Sequence, residues 1–256
     1  MVHILITGAS SGIGAALVRQ YAAPNVRFSL HGRSAERLRE VAALAEKQGA
    51  KAVVMAGDVS DAAAMADWIT LIDKVEPLSL VIANAGISGG TSGLSDSHKQ
   101  VDRIFTVNWQ GVLNTVTPAA SLMSWRRHGQ IALMSSLASF RGFAGSGAYG
   151  ASKAAVRVYG EALRADLKPH EVKVNIICPG FVKTPMTDVN GFSMPFLMDA
   201  QRAAQIIQKG LQRNQPYIVF PWRMHMMVRL LAFLPLDFVI GLMCGRPKKP
   251  PFDDRG

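Results

Sequence analysis

The chain has 256 residues, 49% of them hydrophobic and 18% charged, which excludes a disordered or low-complexity protein and leaves enough chain for a large core. The formal net charge is +10, but outside "WRRHG" and "RPKK" the basic residues are scattered, and no arginine-rich tract or nucleic-acid motif occurs; nucleic acid is therefore not an expected partner. Cys178 and Cys244 lie far apart and suggest neither a disulfide framework nor a metal site, and Cys178, at the end of an apolar run, reads as a buried core thiol.

In chain order, short β-branched apolar runs alternate with longer alanine-rich segments. "MVHILITG" has no basic start and too short an apolar run for a secretory signal, and no stretch of 18 or more apolar residues is uninterrupted, so a cytoplasmic protein is expected. Strands are predicted at 3–7, 26–31, 51–56, 78–84, 129–135, 172–178 and 216–220. Helices are predicted at 12–22, 34–48, 61–74, 149–168 and 199–213, with one or two more over 98–126, adjusted at Gly111 and Pro118. Seven strands with helices between them imply an α/β fold of the Rossmann type, a doubly wound parallel sheet with helices on both faces. No linker or repeat interrupts the pattern, which gives one domain over 1–221 and a separate helical extension with a basic tail over 222–256.

The first strand runs into "TGASSGIG". Gly8 permits a tight turn, Gly12 lets the backbone approach a pyrophosphate, and Gly14 allows close packing of helix on strand. Ser10, Ser11, Gly12 and Ile13 then bring free N–H groups and the positive end of a helix dipole toward an anion. Further along, Tyr149 and Lys153 in "YGASK" are four residues apart, on one face if the segment is helical. A phenol with pKa of about 10 needs roughly 4 kcal/mol to act near neutrality. One positive charge at about 4 Å supplies energy of that order. Ser136, thirteen residues before Tyr149, can hold a substrate oxygen, and Ser135 would point to the other face.

The spacing T-G-x-x-x-G-I-G, followed in order by "GDV" (57–59), "NAG" (84–86), Asn108 in "VNWQG", Ser136 with "YGASK", and "PGFVKT" (179–184), resembles the short-chain dehydrogenase/reductase family in its single-domain form. The resemblance runs from residue 3 to about 220. It implies hydride transfer between a nicotinamide cofactor and a carbonyl or secondary alcohol, with Ser136, Tyr149, Lys153 and Asn108 as the catalytic set. Tyr149 would exchange the proton, Ser136 orient the oxygen, and Lys153 tune Tyr149 and hold the nicotinamide ribose. Asn108 would interrupt its helix and keep a water near the lysine. Asp58 and Val59 would meet the adenine, Asn84 would brace the sheet with Ala85 and Gly86 close to the cofactor, Pro179, Gly180 and Val182 would line the nicotinamide, and Thr184 would meet a phosphate or the amide.

The second strand ends "SLHGRS", where NAD-preferring relatives carry an acid at the position of Gly32. With Gly32 in its place and Arg33 next, a guanidinium able to fork onto a phosphate, NADP(H) is expected over NAD(H); Ser10 or Arg37 could assist. The methionine- and phenylalanine-bearing segment 185–200 suggests a hydrophobic or acyl-like substrate. Residues 222–243 are apolar but broken by Arg223, Arg229, Pro235 and Asp237. They suit two helices that cover the pocket, pack within a homodimer or homotetramer, or lie on a membrane surface, packing being favoured. A catalytically silent nucleotide-binding or regulatory protein is the alternative, and an intact Ser136, Tyr149 and Lys153 argues against it.

Overall fold

The computed structural model describes residues 1–91 and 96–243; Cys244 and the basic stretch 246–249 lie outside the described residues. In chain order the elements are β1 (Val2–Thr7), α1 (Gly12–Tyr21), β2 (Val26–Gly32), α2 (Ala35–Glu46), β3 (Lys51–Ala56), α3 (Ala62–Val75) and β4 (Leu80–Ala83). Then come α4 (His98–Phe105), a π-helical segment (Thr106–Gln110), α5 (Gly111–Trp125), β5 (Gly129–Met134), α6 (Gly147–Leu167) and β6 (Val172–Pro179). The chain continues with α7 (Pro185–Asp188), α8 (Ala200–Gln212), β7 (Tyr217–Phe220), α9 (Trp222–Phe233) and α10 (Leu236–Met243).

The strands pair in the order β3-β2-β1-β4-β5-β6-β7, every pair parallel. Strand direction alternates side chains between faces, so Ile4 and Ile6 enter one core with Leu17, Phe28, Leu30 and Ile207, while Leu5 enters the other with Ile69, Val81, Val116 and Leu133. Both faces are thus covered, which is why the strands are apolar throughout rather than alternating. The sheet order reverses between β1 and β4, and the crevice at their C-terminal ends is where ligands bind in open parallel sheets.

Several helices start on a side-chain cap. Ser34 Oγ accepts from Arg37 N, Asp61 Oδ1 from Ala64 N, and Asp199 Oδ1 from the backbone N–H groups of Gln201 and Arg202. Each such bond satisfies donors that the first helical turn cannot. Asp61 is the cap of α3, which leaves Asp58 available for another role. The α1 N-cap, Ser11, makes no side-chain cap hydrogen bond, so the first N–H groups of that helix are left for something else.

Two expected boundaries moved. The break in 98–126 is the π-helical segment around Asn108, not a bend at Gly111 or Pro118. Pro118 sits within α5 without ending it. Gly111 serves packing: a Cβ there would lie 2.5 Å from Val59 Cγ1. Helix α6 starts at Gly147, so Tyr149 is its third residue and not its first.

Candidate active site

At the head of β1, Gly8 turns the chain with φ +66°, a conformation side chains resist, and a Cβ there would sit 2.9 Å from Ala85 Cα. Gly14 lies so close to this turn that a Cβ would stand 2.2 Å from Gly8 O, and only glycine lets α1 seat against β1 here. Asn84 braces the two strand ends. Its Nδ2 donates to Thr7 O at 2.9 Å and to Gly8 O at 3.2 Å, while Thr7 Oγ1 accepts from the backbone N–H groups of Asn84 and Ala85. These bonds fix the loop after β4 beside the glycine turn.

The turn opens onto a cavity of about 860 Å³ that runs from the end of β2 to α6. Of the expected cofactor residues, Gly8, Ser10, Ser11, Gly12, Ile13, Arg33, Asp58, Val59, Asn84, Ala85, Gly86, Tyr149, Lys153, Pro179, Gly180, Val182 and Thr184 all line it. Gly14 does not, consistent with its packing role, and Arg37 is also outside it. A dinucleotide fits this arrangement on two counts. The α1 N-terminus has no side-chain cap and faces the cavity through Ser11, Gly12 and Ile13. A Cβ on Gly12 would crowd Thr184 Cγ2 at 3.0 Å, so glycine keeps the cradle open there.

At one end of the cavity, Ser10, Gly32 and Arg33 form a corner, and a Cβ on Gly32 would lie 3.3 Å from Ser10 Oγ. A carboxylate at position 32 would press on that hydroxyl. Asp58, nearby, accepts at Oδ1 from Ser60 N (2.9 Å) and Ser60 Oγ (2.7 Å) and at Oδ2 from Arg103 Nη2 (3.0 Å). Burial alone would raise the Asp58 pKa, but the Ser60 hydrogen bonds and the Arg103 guanidinium outweigh it and hold the carboxyl below the usual range. Sequence reading passed over His31, which is 1% exposed, lines the same end, and has no hydrogen-bond partner for either ring nitrogen among the described residues. Burial lowers its pKa to about 4. Its place at the end of β2 was the one available signal.

At the other end, Ser136 caps a short 3-10 turn, its Oγ accepting from Ala138 N at 3.1 Å. Its side chain lines the cavity with Tyr149 and acts to lower the pKa of that phenol. Ser135 is spent elsewhere, donating to Lys153 O at 2.8 Å. Lys153 is 3% exposed, and its Nζ donates to Met134 O at 2.8 Å. Burial lowers its pKa to about 8. The Tyr149 pKa is raised, because desolvation outweighs the lowering by Ser136. Any lowering of this phenol by Lys153 together with an oxidised nicotinamide ring therefore has to overcome that desolvation. In the protein by itself the ammonium is drawn to the Met134 carbonyl, and Tyr149 stays protonated at neutral pH.

Asn108 is fully buried and does not reach the cavity wall. Its Oδ1 accepts from Ile87 N (2.8 Å), and its Nδ2 donates to Ile87 O (2.9 Å) and Ser152 Oγ (3.0 Å). Ser152 Oγ in turn donates to Tyr149 O at 2.8 Å. Asn108 thus ties the loop after β4 to the turn of α6 that carries Tyr149 and Lys153. A Cβ on Gly86 would lie 3.2 Å from both Asn108 Oδ1 and Lys153 Nζ, which places the amide and the ammonium around one point. Both amide hydrogens of Asn108 are used, so its side chain has none left to donate to a water.

The rest of the cavity wall is apolar and comes from residues that motif reading did not assign, including Phe143, Phe192, Met224, Val228 and Leu231. Helix α9 supplies the last three, one of the placements that the sequence left open.

Comparison with known proteins agrees with this geometry. The family profile for short chain dehydrogenase matches residues 2–191. An uncharacterized oxidoreductase of Myxococcus xanthus is 37% identical over 232 residues, covering 90% of this chain and 92% of that protein. Among solved structures, a short-chain dehydrogenase from Sphingobium yanoikuyae in complex with NADPH superposes with TM-score 0.81 at 24% identity over 100% of both chains. A bulky-bulky ketone specific alcohol dehydrogenase from Comamonas testosteroni superposes with TM-score 0.78 at 23% identity, covering 92% of this chain and 96% of that one.

Proposed function

The chain belongs to the short-chain dehydrogenase/reductase family of oxidoreductases, and from that premise we propose that it interconverts a hydrophobic or acyl-like carbonyl compound and its secondary alcohol with NADP(H). The observation that carries this reading is that Ser136, Tyr149 and Lys153 lie on the wall of the same cavity that begins at the uncapped α1 N-terminus. When bound, the nicotinamide supplies or accepts the hydride. The chain's residues do the rest. Ser136 Oγ holds the substrate oxygen, and Tyr149, protonated at neutral pH, donates to that oxygen as a carbonyl is reduced. In the oxidative direction the phenol must first lose its proton, and a second positive charge beside it would assist. Lys153, whose lowered pKa makes the ammonium readily exchangeable, holds the nicotinamide ribose and returns the proton toward solvent. Asn108 positions α6, and a water-holding role falls to its backbone in the π-helical segment.

The NADP(H) preference rests on the corner of Ser10, Gly32 and Arg33: a guanidinium beside two small residues would hold a 2′-phosphate, and position 32 carries no acid to repel it. Asp58 would accept from the adenine amino group, with Arg103 and Ser60 keeping it ionised. The substrate class rests on the apolar wall of Phe143, Phe192, Met224 and Leu231. Residues 1–221 form the catalytic unit in this reading, with 222–256 an extension, in a cytoplasmic homodimer or homotetramer. Among the described residues no helix is long and apolar enough to cross a membrane.

The test is oxidation of NADPH and of NADH against a panel of carbonyl compounds, with Tyr149→Phe as control. Undiminished turnover in that variant defeats the mechanism. Rapid reduction of small polar sugars without activity on hydrophobic ketones defeats the substrate class.

A further inference from the structure

Helix α9 presents apolar side chains on two faces. Met224, Val228 and Leu231 point into the cavity. Trp222, Met226, Leu230 and Phe233, at intervals of four, four and three, form a stripe along the outer side and are 61–78% exposed. Helix α10 extends this surface with exposed Leu236, Phe238 and Ile240. A helix lying on a domain and facing water ordinarily turns polar residues outward. The apolar surface is also continuous with the site, because Met227 lines the cavity and is itself 43% exposed.

The charges on these helices are mostly positive. Helix α9 carries Arg223 and Arg229, Arg141 Nη2 donates to Leu234 O between α9 and α10, and Asp237 is the one acid of the two helices. A symmetric contact between two copies would set the same patch against itself. It would bury Arg223 and Arg229 of both copies in one contact, with Asp237 the one acid that each copy's α9 and α10 supply to compensate. An anionic lipid headgroup complements the same pattern.

We propose that the α9–α10 surface docks on a bilayer carrying anionic headgroups, inserting Trp222, Met226, Leu230 and Phe233 at the acyl boundary, and that Met227 marks the passage from that boundary into the cavity. Only the passage of substrate rests on the function proposed above; docking does not.

The experiment is co-sedimentation of the full chain with phosphatidylcholine vesicles, with and without phosphatidylglycerol, alongside sedimentation equilibrium without lipid. The expected result is stronger partition onto anionic vesicles by about tenfold, weakened by salt. The triple variant Trp222→Glu, Leu230→Glu, Phe233→Glu, all at exposed positions outside the cavity wall, should lose that partition while still binding NADPH. Quenching of tryptophan fluorescence by brominated lipid should drop in Trp222→Phe and persist in Trp125→Phe, whose side chain is exposed on α5. Equal partition of wild type and triple variant overturns the proposal, as does equal binding to neutral vesicles. A variant that dissociates an oligomer of a wild type that binds no vesicles also overturns it, and assigns the face to a second copy. None of these readings needs turnover, so docking and the proposed reaction can fail separately.

Discussion

Asn108 and Ser152 are joined by a 3.0 Å hydrogen bond that spans from the π-helical segment to α6, and Ser152 passes it on to the carbonyl of Tyr149. Helix α6, which carries Tyr149 and Lys153, is therefore held by a residue that does not line the cavity. Asn108→Leu should remove three buried hydrogen bonds and leave Ile87 N and O unpaired, at a cost of about 2–4 kcal/mol in stability. Thermal unfolding measures that loss. If Asn108 positions α6, kcat should fall with little change in NADPH affinity, and Ser152→Ala should show a milder version of both effects.

Tyr149→Phe keeps the ring and deletes the hydroxyl whose pKa Ser136 acts to lower. Turnover should fall by about 10²–10⁴-fold, the range for a lost general acid, while NADPH binding followed by fluorescence titration stays within a few-fold. Ser136→Ala should lower kcat in the same direction, whereas Ser135→Ala should chiefly affect stability, because Ser135 bonds the Lys153 carbonyl.

At the opposite end, Arg33→Ala should weaken NADPH binding by about tenfold and leave NADH nearly unchanged, as expected for loss of a charge-assisted phosphate contact. Gly32→Asp should go further and invert the preference. Its carboxylate would repel a 2′-phosphate, and its Cβ would stand 3.3 Å from Ser10 Oγ. Dissociation constants for both nucleotides decide this without a substrate.

Burial of His31 gives the fold an acid weakness. Its pKa falls from 6.5 in the unfolded chain to about 4 in the folded one. Between those values the unfolded chain binds the extra proton, so stability is full above pH 6.5 and declines as the pH drops toward about 4. The decline from this residue is up to about 3 kcal/mol. Urea midpoints measured across that range should fall less in His31→Leu, which cannot take up the proton.

The sequence by itself determined the parallel sheet and the helices around it, and it named the glycine turn and the Ser136, Tyr149 and Lys153 side chains that line one cavity, because these depend on local patterns. Apolar strands alternating with helical runs permit few topologies, and glycines at 8, 12 and 14 or a tyrosine four before a lysine carry their purpose in their spacing. Only the tertiary structure decided matters that depend on neighbours distant in the chain. It gave Ser135 a partner of its own, the Lys153 carbonyl eighteen residues away, beside the choice of Ser136 that strand alternation had already made. It gave the interruption at Asn108 its form, a π-helical segment, and gave that side chain its partners, Ile87 and Ser152. It showed that desolvation, a property of the assembled pocket, outweighs the lowering of the Tyr149 pKa by Ser136, so a tuning charge such as Lys153 has that desolvation to overcome. It also placed α9 against the cavity with its other apolar face outward, since hydrophobic composition states how much surface must leave water but not which partner removes it.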